Sequence, residues 1–395
     1  MIDSESSPMA AWPGWSLERV AFYLLLAFVG ALQLSIAAAN IVLALAGACW
    51  VAMTLRGHER LEAPPFWPPL VAYGGITLVA ALFSSDPVRS LIDSKQLVLF
   101  LIVPLVYRLA RGDRALTVVN VVLTVGAASA LFGIFQYGIL EYDNLGRRPQ
   151  GTLSHYMTYS GLLMLVATTA AARVLFRRAD RAWPALVMPA LLVALTLTFT
   201  RSAWVGACAG IALLLTLKDF RLLAILPVLA MLFFSLAPPQ ITGRLYSMFD
   251  LQDPTNRDRL AMVRSGVRMI QSDPLTGVGP DMVGQVYEQY RDPLAVEANN
   301  PHLHNVPLQI AAERGLPALL IWVWFVAVAT TRLFRQSRHT MYPSLFAAGL
   351  AAMAAMLAAG FFEYNFGDSE FLMLLLVLIT LPFSAVRDLP DRAPA

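Results

Sequence analysis

Apolar runs of about twenty residues recur from one end of the chain to the other, and they leave few folds open. The runs lie near 17–33, 36–55, 68–84, 91–109, 115–138, 155–175, 183–200, 203–217, 221–236, 306–331, 341–362 and 369–386. About twenty apolar residues of helix cross a bilayer core, and a soluble domain has no use for so many such runs. The charge content agrees: 14% of residues are charged, against about 25% in a soluble domain. The expected fold is therefore all-α: a polytopic transmembrane bundle of about 12 spans, with a helical hydrophilic segment between the ninth and tenth. Residues 1–236 would form spans 1–9, 237–305 the hydrophilic segment, and 306–395 spans 10–12 with a short tail.

The basic residues set an orientation. With both termini cytoplasmic, 17 of the 29 Lys and Arg fall in inside loops or at inner helix ends, among them Arg56, Arg60, Arg108, Arg111, Arg114, Arg177, Arg178, Arg181, Arg332, Arg335, Arg338 and Arg392. That is the pattern the positive-inside rule demands. The acidic N-terminal stretch lacks the basic start of a signal peptide. A net charge of +3 is too small to indicate nucleic acid. Cys49 and Cys208 sit singly in apolar runs and read as buried small residues. His58 and His339 read as ordinary residues of inside loops.

Twelve basic residues work against this topology: Arg89, Lys95, Arg147, Arg148, Arg201, Arg244, Arg257, Arg259, Arg264, Arg268, Arg291 and Arg314. Nearly all fall in 139–155, in 237–305, or at an outer span end. An anionic ligand gives them a reason, because a guanidinium keeps its charge and offers paired donors to phosphate oxygens.

Within 237–305, Asp253 or Asn256 caps an expected helix running to about Gln271, where Asp273-Pro274 ends it. Leu260, Val263, Val267 and Ile270 form an apolar stripe along it. Arg257, Arg264 and Arg268 share the opposite face, and Arg259 falls on the apolar side. A glycine-rich turn, GVGP (277–280), leads to a second helix over 281–291.

His302, His304 and Asn305 stand where this segment re-enters the membrane. A His there, beside arginines, could take a proton from a hydroxyl near neutral pH. Arg201 sits in a connection too short for an ordinary loop, and Arg147, Arg148 and His155 precede another span on the same side. Metal-ligand spacings, a P-loop and a nucleophile elbow do not occur, so no cofactor and no metal are indicated.

Three stretches together resemble the O-antigen ligase and polymerase superfamily. They are TFTRSAW (198–204), NRDRLAMVRSGVRMIQSDPLTGVGP (256–280) and HNVPLQIAAERGL (304–316). The resemblance implies a metal-independent, inverting glycosyltransferase of the bacterial inner membrane with its active site on the periplasmic face. It would move a glycan from an undecaprenyl-diphosphate-linked donor. With one large outer segment the chain is most similar to the ligases, whose acceptor is lipid A–core in lipopolysaccharide assembly. The alternatives are a polymerase of the same superfamily and an anionic-lipid transporter or flippase. In the ligase reading His304 is the general base, with Arg201 and Arg264 acting on the diphosphate. Arg259, Arg147, Arg148, Arg268, Asn305 and His302 would bind substrate alongside the membrane lipid. The helix face favours Arg264 as the main diphosphate partner and the motif favours Arg259, so both stand.

Overall fold

The computed structural model describes residues 16–57, 61–177, 179–236, 238–338 and 340–387. The acidic N-terminal stretch, His58, Arg60, Arg178, His339 and Arg392 lie outside the described residues. In chain order the helices are α1 Leu17–Ala31, α2 Ile36–Gly57, α3 Trp67–Leu82, α4 Pro87–Asp93, α5 Ile102–Leu109, α6 Arg114–Gly138, α7 Tyr156–Phe176 and α8 Ala182–Leu197. They continue as α9 Arg201–Lys218, α10 Ile225–Leu236, α11 Pro239–Tyr246, α12 Pro254–Ser272, α13 Val283–Tyr290, α14 Val306–Ser337, α15 Pro343–Gly360 and α16 Ser369–Val386. No strand occurs among the described residues, and the chain is a polytopic helical membrane protein.

Among the described residues, eight helical segments are long and apolar enough to cross a membrane: α2, Pro87–Leu109, α6, α7, α9, α14, α15 and α16. Two more, α3 and α8, are apolar helices of 16 residues each. The runs at 17–33 and 221–236 form helices of 15 and 12 residues. A 12-residue helix is only about 18 Å long, so hydropathy alone overstates the reach of that run; its first residues, Phe220–Ala224, wind as a 3-10 helix instead.

At the centre stand α7, α15 and α16, about four-fifths of whose apolar windows are buried, whereas α2 buries 11% of its window. Small residues allow the central contacts. A Cβ at Gly206 or Gly210 of α9 would lie 2.7 Å from Ala355 O or 3.0 Å from Ala351 O of α15. Backbone approach of this kind holds helices together where lipid and side chains are equally apolar. It brings the N-terminal end of α9, which is Arg201, beside the link from α15 to α16.

Helix α12 has the expected bounds. The Asp253 carboxylate accepts from the Thr255 and Asn256 amides, and Pro254 fills the first turn, where no amide partner is needed. Its buried face differs from the expected stripe. Asp258, Ala261, Met262, Ser265, Gly266 and Met269 face inward, while Leu260, Val263 and Val267 are exposed. Gly266 explains the choice, since a Cβ there would come within 2.8 Å of Leu303 and Leu308.

The 274–280 turn locks onto a kink in α14. Val278 N donates to Ala312 O at 2.9 Å, Gly279 N to Glu313 O at 3.0 Å and Leu316 N to Pro274 O at 2.8 Å. At the kink Gly315 takes φ +80°, and a Cβ there would lie 2.2 Å from Leu275 O. Only glycine suits that backbone without strain. The two glycine-bearing motifs are thus halves of one joint, which fixes the angle at which the 239–305 segment meets the bundle.

Candidate active site

The loop ahead of α14 is tied down residue by residue. Asp258 accepts from the Val296 and Glu297 amides and from Asn300 Nδ2, at 3.0, 3.1 and 3.2 Å. Leu303 N donates to Gln309 Oε1 at 2.7 Å. Asn305 caps α14 by accepting from Leu308 N at 2.9 Å, and its Nδ2 donates to Phe361 O at 3.1 Å. Between these clamps His304 is held at φ +46°, a left-handed conformation that a non-glycine residue keeps only when its surroundings impose it.

His304 Nδ1 meets the Glu363 carboxylate at 3.0 and 3.1 Å. Burial works to raise the Glu363 carboxyl, but the hydrogen bond and charge of His304, helped by His302 and the Tyr364 amide, hold it below its ordinary value. An ionised carboxylate can only accept, so Nδ1 carries the proton, and in a neutral ring the lone pair is then on Nε2. The two His rings lie 4.5 Å apart. Burial, then the neighbouring His304, lowers His302 below its ordinary value, so it is neutral near pH 7.

The structure also sorts the arginines. Arg201, 4% exposed, donates from Nη1 to Ser247 Oγ at 3.1 Å. Its Nη2 lies 3.6 Å from Asp253 and makes no hydrogen bond among the described residues. Arg201 and Arg259 line one cavity of about 300 Å³ with His304, Asn305, Leu260 and Phe362. The Arg259 guanidinium lies 5.9 Å from the Phe362 ring, and burial, opposed by Glu363 and reinforced by Arg201, lowers it. Arg148 packs over Tyr156 at 4.2 Å and is lowered by burial and by Arg201. Arg244, lowered to about 10 by burial and then by Arg201 and Arg148, completes a group of four mutually repelling cations. Asp253 and Glu363 offset part of this repulsion, and a bound anion would offset more of it.

Arg264 and Arg268 turn elsewhere, lying 3.7 and 3.3 Å from Asp292. Arg147 stacks on Tyr142 at 4.2 Å and is exposed, as is Arg257. His155 caps α7, accepting from Met157 N at 3.2 Å. Both cysteines are free thiols.

A second cavity, about 420 Å³, lies on the other side of His302 and Glu363 and shares Ser202 with the first. Asp93, Asp281, Glu313, Glu363 and Asp368 line it, with Arg314 as the single guanidinium. Ligand atoms of His302, His304 and Glu363 lie within 4.8 Å of one another, a grouping that could hold a divalent cation. The hydrogen bond from His304 to Glu363 accounts for the same spacing unaided.

The chain segment that builds this geometry also has relatives. Residues 185–323 match the O-antigen ligase family. Over that stretch the chain is similar to the O-antigen ligases. The matched region covers roughly a third of the sequence, from α8 to the first half of α14, and supports membership of the O-antigen ligase and polymerase superfamily. It contains Arg201, Arg244, Arg259, His302, His304 and the Gly277–Gly315 joint. No curated protein matches the chain.

Two residues of the site escape sequence reasoning. Glu363 lies outside the matched region, in a link that reads as a solvated loop; the signal in the sequence is the clustering of Glu363, Asp368 and Glu370. Arg244 was visible as a cation set against the topology, but nothing along the chain placed it beside Arg201.

Proposed function

We propose that this protein is an O-antigen ligase that moves a glycan from undecaprenyl diphosphate to lipid A–core. In this reading it is a multi-pass protein of the bacterial inner membrane with both termini cytoplasmic, and the site faces the periplasm. The observation that carries the proposal is the sharing of one cavity by His304, Arg201 and Arg259.

The donor diphosphate lies against Arg201 and Arg259, with Arg148 and Arg244 adding charge. Exposed Leu260 and Val263, with Phe361 and Phe362, offer apolar surface to the polyprenyl chain beside it. His304 Nε2 takes the proton of the acceptor hydroxyl, whose oxygen attacks the anomeric carbon. The bond from that carbon to the diphosphate breaks on the opposite side, so configuration inverts. The arginines stabilise the charge that gathers on the departing diphosphate. Glu363 accepts from Nδ1, orients the ring and stabilises the imidazolium as it forms. General-base catalysis of this kind contributes about 10²–10⁴ in rate.

Purified protein, a lipid-diphosphate-linked glycan and lipid A–core test the proposal. Glycan appearing on lipid A–core supports the ligase. Lengthening of the glycan on the donor lipid moves the protein to the polymerase branch, and binding of donor without either product leaves a carrier of anionic lipid.

A further inference from the structure

The larger cavity has a chemistry opposite to that of the arginine cavity. Its only guanidinium is already engaged: Arg314 Nη1 donates to Glu313 at 2.6 Å, and its Nη2 lies 3.9 Å from Asp93. Asp281 at the rim faces Arg89 at 2.8 Å. Asp368 accepts from Thr158 Oγ1 and from the Phe371 amide, so it holds hydroxyl and amide donors rather than a cation. His302, neutral near pH 7, adds no charge. Asn365 is 7% exposed, and its Oδ1 has no hydrogen-bond partner among the described residues. The volume falls within the range of pockets for small ligands, roughly 300–1,000 Å³.

A polyhydroxyl group suits such walls, because each hydroxyl donates to a carboxylate or an amide oxygen. A phosphate does not: it brings acceptors only, and it would meet carboxylates with no uncommitted cation to offset them. Ser202 lines both cavities, and Glu363 of this one meets His304 of the other at 3.0 Å, so a sugar lodged here lies next to the His304 ring.

We propose that the carboxylate-lined cavity seats the terminal sugar of the acceptor and selects a sugar that carries no phosphate. The proposal rests on the transferase reading above and adds a division of labour by charge: the arginine cavity takes the diphosphate, and the carboxylate cavity excludes one. Like charges set face to face across a site are strong discriminators.

The test uses two lipid A–core acceptors that differ only in a phosphate monoester on the terminal hexose, away from the accepting hydroxyl. The native protein is expected to use the phosphorylated acceptor roughly a hundredfold less well, mainly through KM. Asp368→Asn keeps the cap on α16, since Asn serves there as well as Asp, and should narrow that gap several-fold; Asp281→Asn should do so independently. Equal use of the two acceptors, or preference for the phosphorylated one, overturns the proposal and leaves the transferase reading intact. An unchanged gap in both variants also overturns it. Donor bound with no transfer to either acceptor removes the transferase reading, and this proposal with it.

Discussion

The Nδ1 of His304 lies 3.0 Å from Glu363 Oε1, joining the loop ahead of α14 to the link between α15 and α16. Glu363 acts on the reaction through the imidazole and does not line the arginine cavity that takes the donor, which makes it a positioning residue. In Glu363→Gln the amide can donate to Nδ1, so the ring is no longer confined to one tautomer. Transfer should fall by about 10²–10⁴, while donor affinity stays within about threefold of native. A loss of donor affinity as large as the loss of rate would show that Glu363 holds the donor instead.

The arginines separate in the same kind of measurement. Arg259→Ala and Arg201→Ala each remove a charge-assisted contact worth about 1.5–3 kcal/mol, or roughly a 10- to 150-fold loss of donor affinity. Arg264→Ala should cost under about threefold in donor affinity, because Arg264 faces Asp292 and does not line the arginine cavity. Titration of each purified variant with the polyprenyl-diphosphate donor reads the difference, and a larger loss for Arg264 than for Arg259 would reverse the assignment.

The joint at Gly315 is a matter of stability. With φ at +80° and Leu275 O 2.2 Å from the added methyl, Gly315→Ala combines backbone strain of about 1–3 kcal/mol with a main-chain clash. Melting in detergent should shift down clearly or the protein should fail to accumulate. Gly243→Ala, with nothing within 4 Å of the added carbon, should stay within about 0.5 kcal/mol of native.

Acid should weaken the fold at the His304–Glu363 contact. A carboxyl held below its ordinary value of 4.5 binds a proton less readily folded than unfolded. Its contribution is therefore complete above 4.5 and disappears as pH falls through the lowered value. The melting temperature of the native protein should exceed that of Glu363→Gln near pH 6, and the two should converge as pH falls through that lowered value. A constant difference across that range would mean that the contact contributes nothing through ionisation.

How far the sequence disclosed this arrangement depends on the reach of each signal. Apolar runs mark the helices of the bundle because burial in lipid acts on each run separately. Asp253, Pro254 and Asp273 mark α12 because capping is local. The packed face of α12 differs from its apolar stripe: Leu260, Val263 and Val267 are exposed, and the packed side includes small residues such as Ala261, Ser265 and Gly266. In a membrane protein an apolar stripe can face lipid as readily as protein, so amphipathicity loses its usual sign. That reversal is what brings Arg259, not Arg264, beside Arg201. Glu363 stood 59 residues from its partner, and only the close approach of α9, α14 and α15 brings the two together.

In the proposed reaction His304 moves a proton while arginines, without a metal, manage the leaving diphosphate. A single-turnover experiment with the undecaprenyl-diphosphate glycan already bound, lipid A–core added and a chelator present throughout tests it most directly. Full transfer is expected of the native protein, and in His304→Ala a loss of at least about a hundredfold in rate with donor affinity preserved. Transfer that survives in His304→Ala, or native transfer that stops when the chelator is added, would contradict it.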